Sequence, residues 1–154
     1  MGLSMDIIDQ IRPAIVAVLI EIEGPNKERD LKLNGTGFFV TSDGYILTCY
    51  HVIQPPSLSS NSKVTSIKVE TQKGTFQASN EIDKSRSEKH LDCAVLKVNE
   101  NIEFPCLRLS AECNQGDQWC SIGYELVERA KGFPLMGTVV GSYDRRESAS
   151  QDID

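Results

Sequence analysis

The class of fold is decided by Gly35-Thr36-Gly37-Phe38-Phe39-Val40-Thr41-Ser42-Asp43-Gly44-Tyr45-Ile46-Leu47-Thr48. Two runs of apolar and aromatic residues stand on either side of Asp43-Gly44, a residue pair that tolerates the positive φ angles of a tight turn. The stretch therefore predicts a β-hairpin with strands over 35–41 and 45–48.

Further short strands are predicted on both sides of this hairpin. Residues 11–22 are rich in β-branched side chains, which favour a strand over a helix, and a short helix over 5–11 precedes them. Additional strands are predicted over 64–70, 75–82, 93–98, 117–124 and 135–143. Short strands at close spacing, with turn residues between them and almost no amphipathic helix period, predict an all-β, antiparallel barrel or sandwich.

Composition excludes several classes of protein. The 154 residues are 40% hydrophobic and 25% charged, which is typical of a single globular unit and argues against a disordered chain. The net charge of −6 disfavours nucleic acid as a partner. The longest apolar run, 14–20, has seven residues, whereas a membrane-spanning helix needs about 20. We therefore expect no membrane span.

The N-terminus and the cysteines bear on the cellular compartment. The first residues show neither a basic segment nor an apolar segment of the kind that opens a secretory signal. A myristoylation motif that begins at Gly2 needs Ser or Thr at position 6, where this chain has Asp6, so we expect no myristoylation. The five cysteines are an odd number, which favours reduced and mostly buried thiols over a disulfide framework. A cytoplasmic location is the resulting prediction.

Two residues are candidates for chemistry. His51 follows the second strand of the predicted hairpin, and Asp92 stands at the mouth of the apolar segment 93–98. Taken singly, each has an ordinary explanation, a loop histidine and a solvated turn aspartate. Their neighbours in the sequence make the pair more informative than either residue alone.

Several motifs, in this order along the chain, resemble the trypsin-like peptidase domain, particularly its bacterial Deg/HtrA-like branch. The first four are the segments 35–40 and 43–48, the pair His51-Val52, and the segment 92–98, which reads Asp-Cys-Ala-Val-Leu-Lys-Val. Two later segments, 116–124 and 137–142, resemble the opening strands of the second barrel of that family. The resemblance spans most of the chain.

The resemblance implies a fold of two antiparallel β-barrels with a catalytic cleft between them. It places the first barrel, complete and carrying both candidate residues, at 1–110. It places a partial second barrel and a polar tail at 111–154. The resemblance also implies further domains, as parts of a larger multidomain protein, as partners of this chain.

The resemblance also implies a serine endopeptidase that acts on protein or peptide substrates without a cofactor or a metal. His51 takes the role of the general base, because a serine hydroxyl is a weak nucleophile unless an imidazole removes its proton. Asp92 takes the role of the carboxylate that orients the imidazole. The order of His before Asp before a later Ser is that of this barrel class.

One departure from the family pattern concerns the nucleophile. The family carries its serine in a Gly-x-Ser-Gly-Gly-like turn, and the 154 residues contain no such segment. Ser121 and Ser142 lie on predicted strands without the glycine neighbours of an oxyanion hole, so neither is assigned a catalytic role. The sequence therefore predicts a serine beyond residue 154 and an inactive chain without it.

Two alternatives stay open. A non-catalytic barrel derived from a protease and kept as a protein-interaction module explains the missing serine equally well. A zinc site is the second alternative, since Cys49-x-His51 and His90-x-x-Cys93 offer N and S ligands in pairs. That spacing is not the spacing of a zinc finger, and we expect Cys49 and Cys93 to be core thiols instead.

Overall fold

The computed structural model describes residues 5–80, 91–124 and 133–138, with the backbone alone for Met5 and for 133–138. Its helices and strands follow in chain order: α1 (Met5–Ile11), a 3₁₀ turn (Arg12–Ala14), β1 (Ile15–Glu23), β2 (Arg29–Phe39), β3 (Tyr45–Thr48), α2 (Tyr50–Ile53), β4 (Lys63–Thr71), β5 (Gly74–Asn80), β6 (Ala94–Val98), β7 (Gln118–Gly123) and β8 (Phe133–Thr138). Within these ranges, no helix has the length and apolar character needed to cross a membrane.

Six of the strands close into a barrel in the order β1-β2-β3-β6-β5-β4, with every neighbouring pair antiparallel. The ladder between β1 and β4, which pairs Val18 with Val69 and Ile20 with Ile67, closes the ring. The predicted all-β, antiparallel barrel is confirmed.

Strand β1 is buried on both of its faces. Its first six residues, Ile15 to Ile20, are all buried. Because successive side chains of a strand point to opposite faces, Val16 and Val18 enter the barrel core while Ile15, Ala17 and Leu19 pack outside it. The uninterrupted apolar run in the sequence is explained by this double burial.

The predicted hairpin joins β2 to β3. Phe38 pairs with Leu47 and Phe39 with Ile46, and the turn between the strands contains Gly44 at φ +105°. A Cβ atom at Gly44 would stand 2.5 Å from the carbonyl oxygen of Val98, so glycine is required there for space as well as for φ.

Strand β2 begins six residues earlier than the sequence predicts. Its first half pairs with the second half of β1, from Glu23 opposite Arg29 to Leu19 opposite Leu33. Residues 29–32 are all exposed. In the sequence only the brief alternation of Leu31 and Leu33 with polar neighbours marks this half of the strand. Backbone pairing with β1, rather than side-chain burial, makes it a strand.

The open end of the barrel is covered by a segment that runs from β6 towards β7. Phe104 is 2% exposed and stacks on Phe39 with ring centroids 4.4 Å apart, and Phe76 meets it edge-on at 5.6 Å. Two backbone hydrogen bonds hold the segment, from Phe104 N–H to Ser42 O at 2.9 Å and from Leu107 N–H to Phe39 O at 2.8 Å.

Strands β7 and β8 form a separate antiparallel pair, from Gln118 opposite Thr138 to Gly123 opposite Phe133. The pair rests on the outer face of β1, where Ile122 packs with Ile8 and Ile15. The backbone N–H of Tyr124 donates to Thr36 Oγ1 at 2.8 Å. β8 begins two residues before the predicted strand over 135–143, and the last five residues of that predicted strand lie outside the described residues.

We expect Phe104→Ala to lower the free energy of unfolding by about 3–5 kcal/mol, since it leaves a cavity between two aromatic rings. Urea denaturation followed by circular dichroism measures this change. Leu109→Ala is the control, because Leu109 is 63% exposed and its truncation should change stability by no more than about 0.5 kcal/mol. Equal losses in the two variants would contradict the assigned packing.

Candidate functional site

Helix α2 is a single turn that presents His51 to the solvent. Val52 and Ile53, the next two residues, are 5% and 4% exposed and belong to the barrel core. Their burial orients the turn so that the side chain of His51 stays 58% exposed. The position of the histidine is therefore determined by its apolar neighbours.

Strand β2 supplies the surface on which α2 rests. A Cβ atom at Gly35 would stand 2.5 Å from Val52 Cγ2, so glycine permits the close approach of the helical turn. Asn34 Nδ2 donates to the carbonyl oxygen of Val52 at 2.7 Å. Sequence reasoning missed the positioning role of both residues, although Gly35 belongs to the motif that it singled out.

Asp92 lies in the turn that leads into β6 and has a left-handed backbone with φ +50°. Asp is one of the few residues other than glycine that adopt this conformation at modest cost. The backbone carbonyl of Asp92 accepts a hydrogen bond from Tyr50 N–H at 3.1 Å. The turn is thereby joined to the first residue of α2.

The carboxylate of Asp92 contacts His51 twice, across 41 residues of sequence. Its Oδ1 accepts a hydrogen bond from the backbone N–H of His51 at 2.8 Å, and its Oδ2 lies 2.5 Å from His51 Nδ1. The bond from the backbone N–H and then the bond from the ring lower the pKa of the Asp92 carboxyl, against a smaller opposing effect of burial. The structure brings the two candidate residues together with the carboxylate in its charged form.

This arrangement can do a definite kind of chemistry. A carboxylate on Nδ1 favours the neutral tautomer with its proton on Nδ1, which leaves Nε2 free to accept a proton. When Nε2 takes a proton, the ring becomes a cation and the adjacent carboxylate stabilises it. His51 and Asp92 thus have the geometry of a general base and its orienting group.

Two cavities are lined by at least one residue of the pair. One, of about 530 Å³, lies between the barrel and β7 and is lined mainly by apolar side chains and by Asp92. The other, of about 600 Å³, is lined by His51, Asp92 and the polar segment that follows α2. Ser121 lines the first cavity from β7, and Ser142 lies outside the described residues.

The expected burial of the cysteines is wrong. All five are free thiols, of which Cys49, Cys106 and Cys113 are exposed and Cys93 and Cys120 are half-buried. Cys49 directly follows β3 and Cys93 directly precedes β6, so both lie just outside the ladder that joins these strands. They line the 530 Å³ cavity instead of the core. Partial burial and then the charge of Asp92 raise the pKa of the Cys49 thiol, which weakens it as a nucleophile.

Comparison with known proteins places this geometry in context. Residues 35–153 match the family model of the trypsin-like peptidase domain. Serine protease HTRA3 of Homo sapiens is 29% identical over 123 residues, which cover 77% of this chain and 26% of that protein. Serine protease HTRA3 of Rattus norvegicus is 29% identical over 123 residues, covering 77% and 25%. The chain spans about a quarter of the length of these curated relatives.

We expect Gly35→Ala to destabilise the fold by about 1–3 kcal/mol, because the new methyl group overlaps the branched side chain of Val52. It should also displace His51, which nuclear magnetic resonance detects as a shift of the His51 backbone amide. Gly123→Ala is the matched control, since its Cβ atom would meet its nearest neighbour, Thr36 Oγ1, at an ordinary 3.9 Å. An unshifted His51 amide in Gly35→Ala would contradict the positioning role.

The lowered pKa of Asp92 predicts a pH-dependent effect of Asp92→Asn, a change that keeps a residue tolerant of positive φ. The carboxylate stabilises the fold above the unfolded pKa of about 3.9, and this contribution is lost as pH falls through the lower folded value. We expect the variant to be less stable than the original chain near neutral pH and the difference to shrink in acid.

Urea denaturation at several pH values between about 6 and 2 measures this difference. Asp30→Asn, at an exposed position of β2, is the control for the loss of one surface carboxylate. A stability difference that stays constant over the whole range would show that the Asp92 carboxylate does not stabilise the turn.

Proposed function

This chain belongs to the trypsin-like peptidase family, and from that premise we propose that it provides the general base and the orienting carboxylate of a serine endopeptidase. His51 is the base and Asp92 is the carboxylate. The observation that carries the proposal is the double contact of Asp92 with the backbone N–H and the ring nitrogen of His51.

The proposed reaction begins when Nε2 of His51 removes the proton of a serine hydroxyl as its oxygen attacks the peptide carbonyl carbon. The tetrahedral intermediate collapses, the C–N bond breaks, and the proton on Nε2 goes to the leaving amine. A water molecule then attacks the acyl-serine with the same assistance, and the acid product and the free serine are released. Asp92 holds the ring orientation through both halves, and no cofactor is needed.

The nucleophile in this proposal is a serine outside the 154 residues, because those residues contain no Gly-x-Ser-Gly segment. The division into a first barrel at 1–110 and part of a second at 111–154 belongs to the same proposal. The closed barrel of β1–β6 and the separate pairing of β7 with β8 support it. The bacterial branch of the family, the cytoplasmic location and the larger multidomain context stay predictions.

Substrates are proposed to be protein or peptide segments that bind across the exposed edge of His51. A cavity with many hydroxyl groups is lined by both His51 and Asp92, and a second, mainly apolar cavity is lined by Asp92. These two cavities support the proposal, because together they offer polar and apolar surfaces to a peptide that reaches His51.

The full natural polypeptide that contains these residues should react with a fluorophosphonate probe and cleave a peptide library. We expect His51→Ala to lower kcat/KM by at least about 10³-fold. Asp92→Asn should lower kcat on the order of 10⁴-fold, because the amide no longer holds the His51 imidazole in the tautomer that carries its proton on Nδ1. His90→Ala, which removes the other histidine of the chain, and Asp117→Asn are the matched controls and should keep activity.

Circular dichroism spectra that match the original polypeptide show that a loss of activity does not come from unfolding. A polypeptide that neither reacts with the probe nor cleaves any peptide would contradict the peptidase proposal. That result would favour the non-catalytic interaction module. Full activity in His51→Ala would remove the histidine from the mechanism.

A further inference from the structure

Among the described residues, three side chains of the kinds that bind metal ions meet beside the barrel. Cys49 follows β3, His51 lies on α2, and Asp92 lies in the turn before β6. One potential ligand atom from each, a sulfur, a ring nitrogen and a carboxylate oxygen, lies within 4.8 Å of the other two. From this juxtaposition we propose that Cys49, His51 and Asp92 form a binding site for Zn²⁺.

The donor atoms suit this ion. Zn²⁺ binds thiolate, imidazole and carboxylate ligands at about 2.0–2.3 Å in tetrahedral geometry, so its ligand atoms stand about 3.3–3.8 Å apart. The spacing must therefore open between Asp92 Oδ2 and His51 Nδ1, now 2.5 Å apart. Any other spacing at the site is at most 4.8 Å, so it needs to close by no more than about 1 Å. The side chains of His51 and Asp92 are 58% and 46% exposed, which leaves room for these rotations.

The backbone beneath the three side chains is already held in place. Tyr50 N–H donates to the carbonyl of Asp92, and the buried Val52 and Ile53 anchor the turn that carries His51. Little chain ordering is then needed when the ion binds, because the three ligand positions are fixed before it arrives.

Charge also favours a cation at this place. The carboxylate of Asp92 supplies a negative charge that attracts a divalent ion to the three ligand atoms. Coordination through sulfur requires the thiolate, so each bound ion releases the thiol proton of Cys49 to solvent. Three protein ligands leave the fourth position to water, which is the composition of an open, exchangeable site.

The site has a consequence that rests on the proposed function. A zinc ion that holds a ring nitrogen of His51 prevents that ring from acting as a general base. Bound Zn²⁺ would then be an inhibitor of the peptidase and not a cofactor. The binding itself follows from geometry and does not depend on catalysis.

The test uses Co²⁺ as a spectroscopic substitute for Zn²⁺ on the untagged 154-residue chain. We expect one equivalent of Co²⁺ to bind saturably with a thiolate-to-cobalt absorption band that Zn²⁺ removes by competition. Cys49→Ser should abolish the band, and His51→Ala and Asp92→Asn, which keeps a residue tolerant of positive φ, should each weaken binding by at least about tenfold.

Cys93→Ser and Cys120→Ser are matched controls, since both thiols line the same cavity as Cys49 yet stand outside the group of three. Both should keep the band and the affinity. A band that survives Cys49→Ser, or one that Cys93→Ser abolishes, would overturn the assignment of ligands, and no saturable band at all would overturn the site. These results are read from the absorption spectrum, so a failed peptidase assay would leave them unchanged.

Discussion

The double burial of β1 is the constraint on which the rest of the structure depends. One face of this strand fills the barrel with Val16 and Val18, and the other face carries α1 and β7 through Ile15. Because β1 also pairs with β2 on one side and β4 on the other, it closes the ring of six strands. A polar side chain on either face would be buried without a partner, which is costly.

The register of the closed barrel explains why two distant residues meet. Thr48 at the end of β3 pairs with Ala94 at the start of β6. His51 lies three residues after the first of these and Asp92 two residues before the second, so the ladder delivers both to the same edge. The His51–Asp92 contact therefore does not disturb the core packing of the barrel, since both side chains lie just beyond the last residue pair of the ladder.

The sequence predicted the features that depend on local chemistry. The Asp43-Gly44 turn and the strand of β-branched residues after Arg12 are visible as local patterns in the sequence. The expectation that His51 and Asp92 lie together came instead from the resemblance to a family, and the structure places the two side chains in contact. The first half of β2 was missed, because its stability comes from backbone pairing that exposed side chains do not reveal. The burial of Cys49 was predicted wrongly because the strand ends one residue before it.

The left-handed backbone of Asp92 restricts how this site can change over evolutionary time. Gly, Asn and Asp occupy such a conformation at lower cost than most residues, so Asn or Gly can keep the backbone angles of this turn when the carboxylate is absent. A single substitution from Asp to Asn or Gly at this position removes the charge and leaves the barrel folded. A descendant of this chain can thus lose the carboxylate in one step, keep its shape, and be inherited as a scaffold open to other uses.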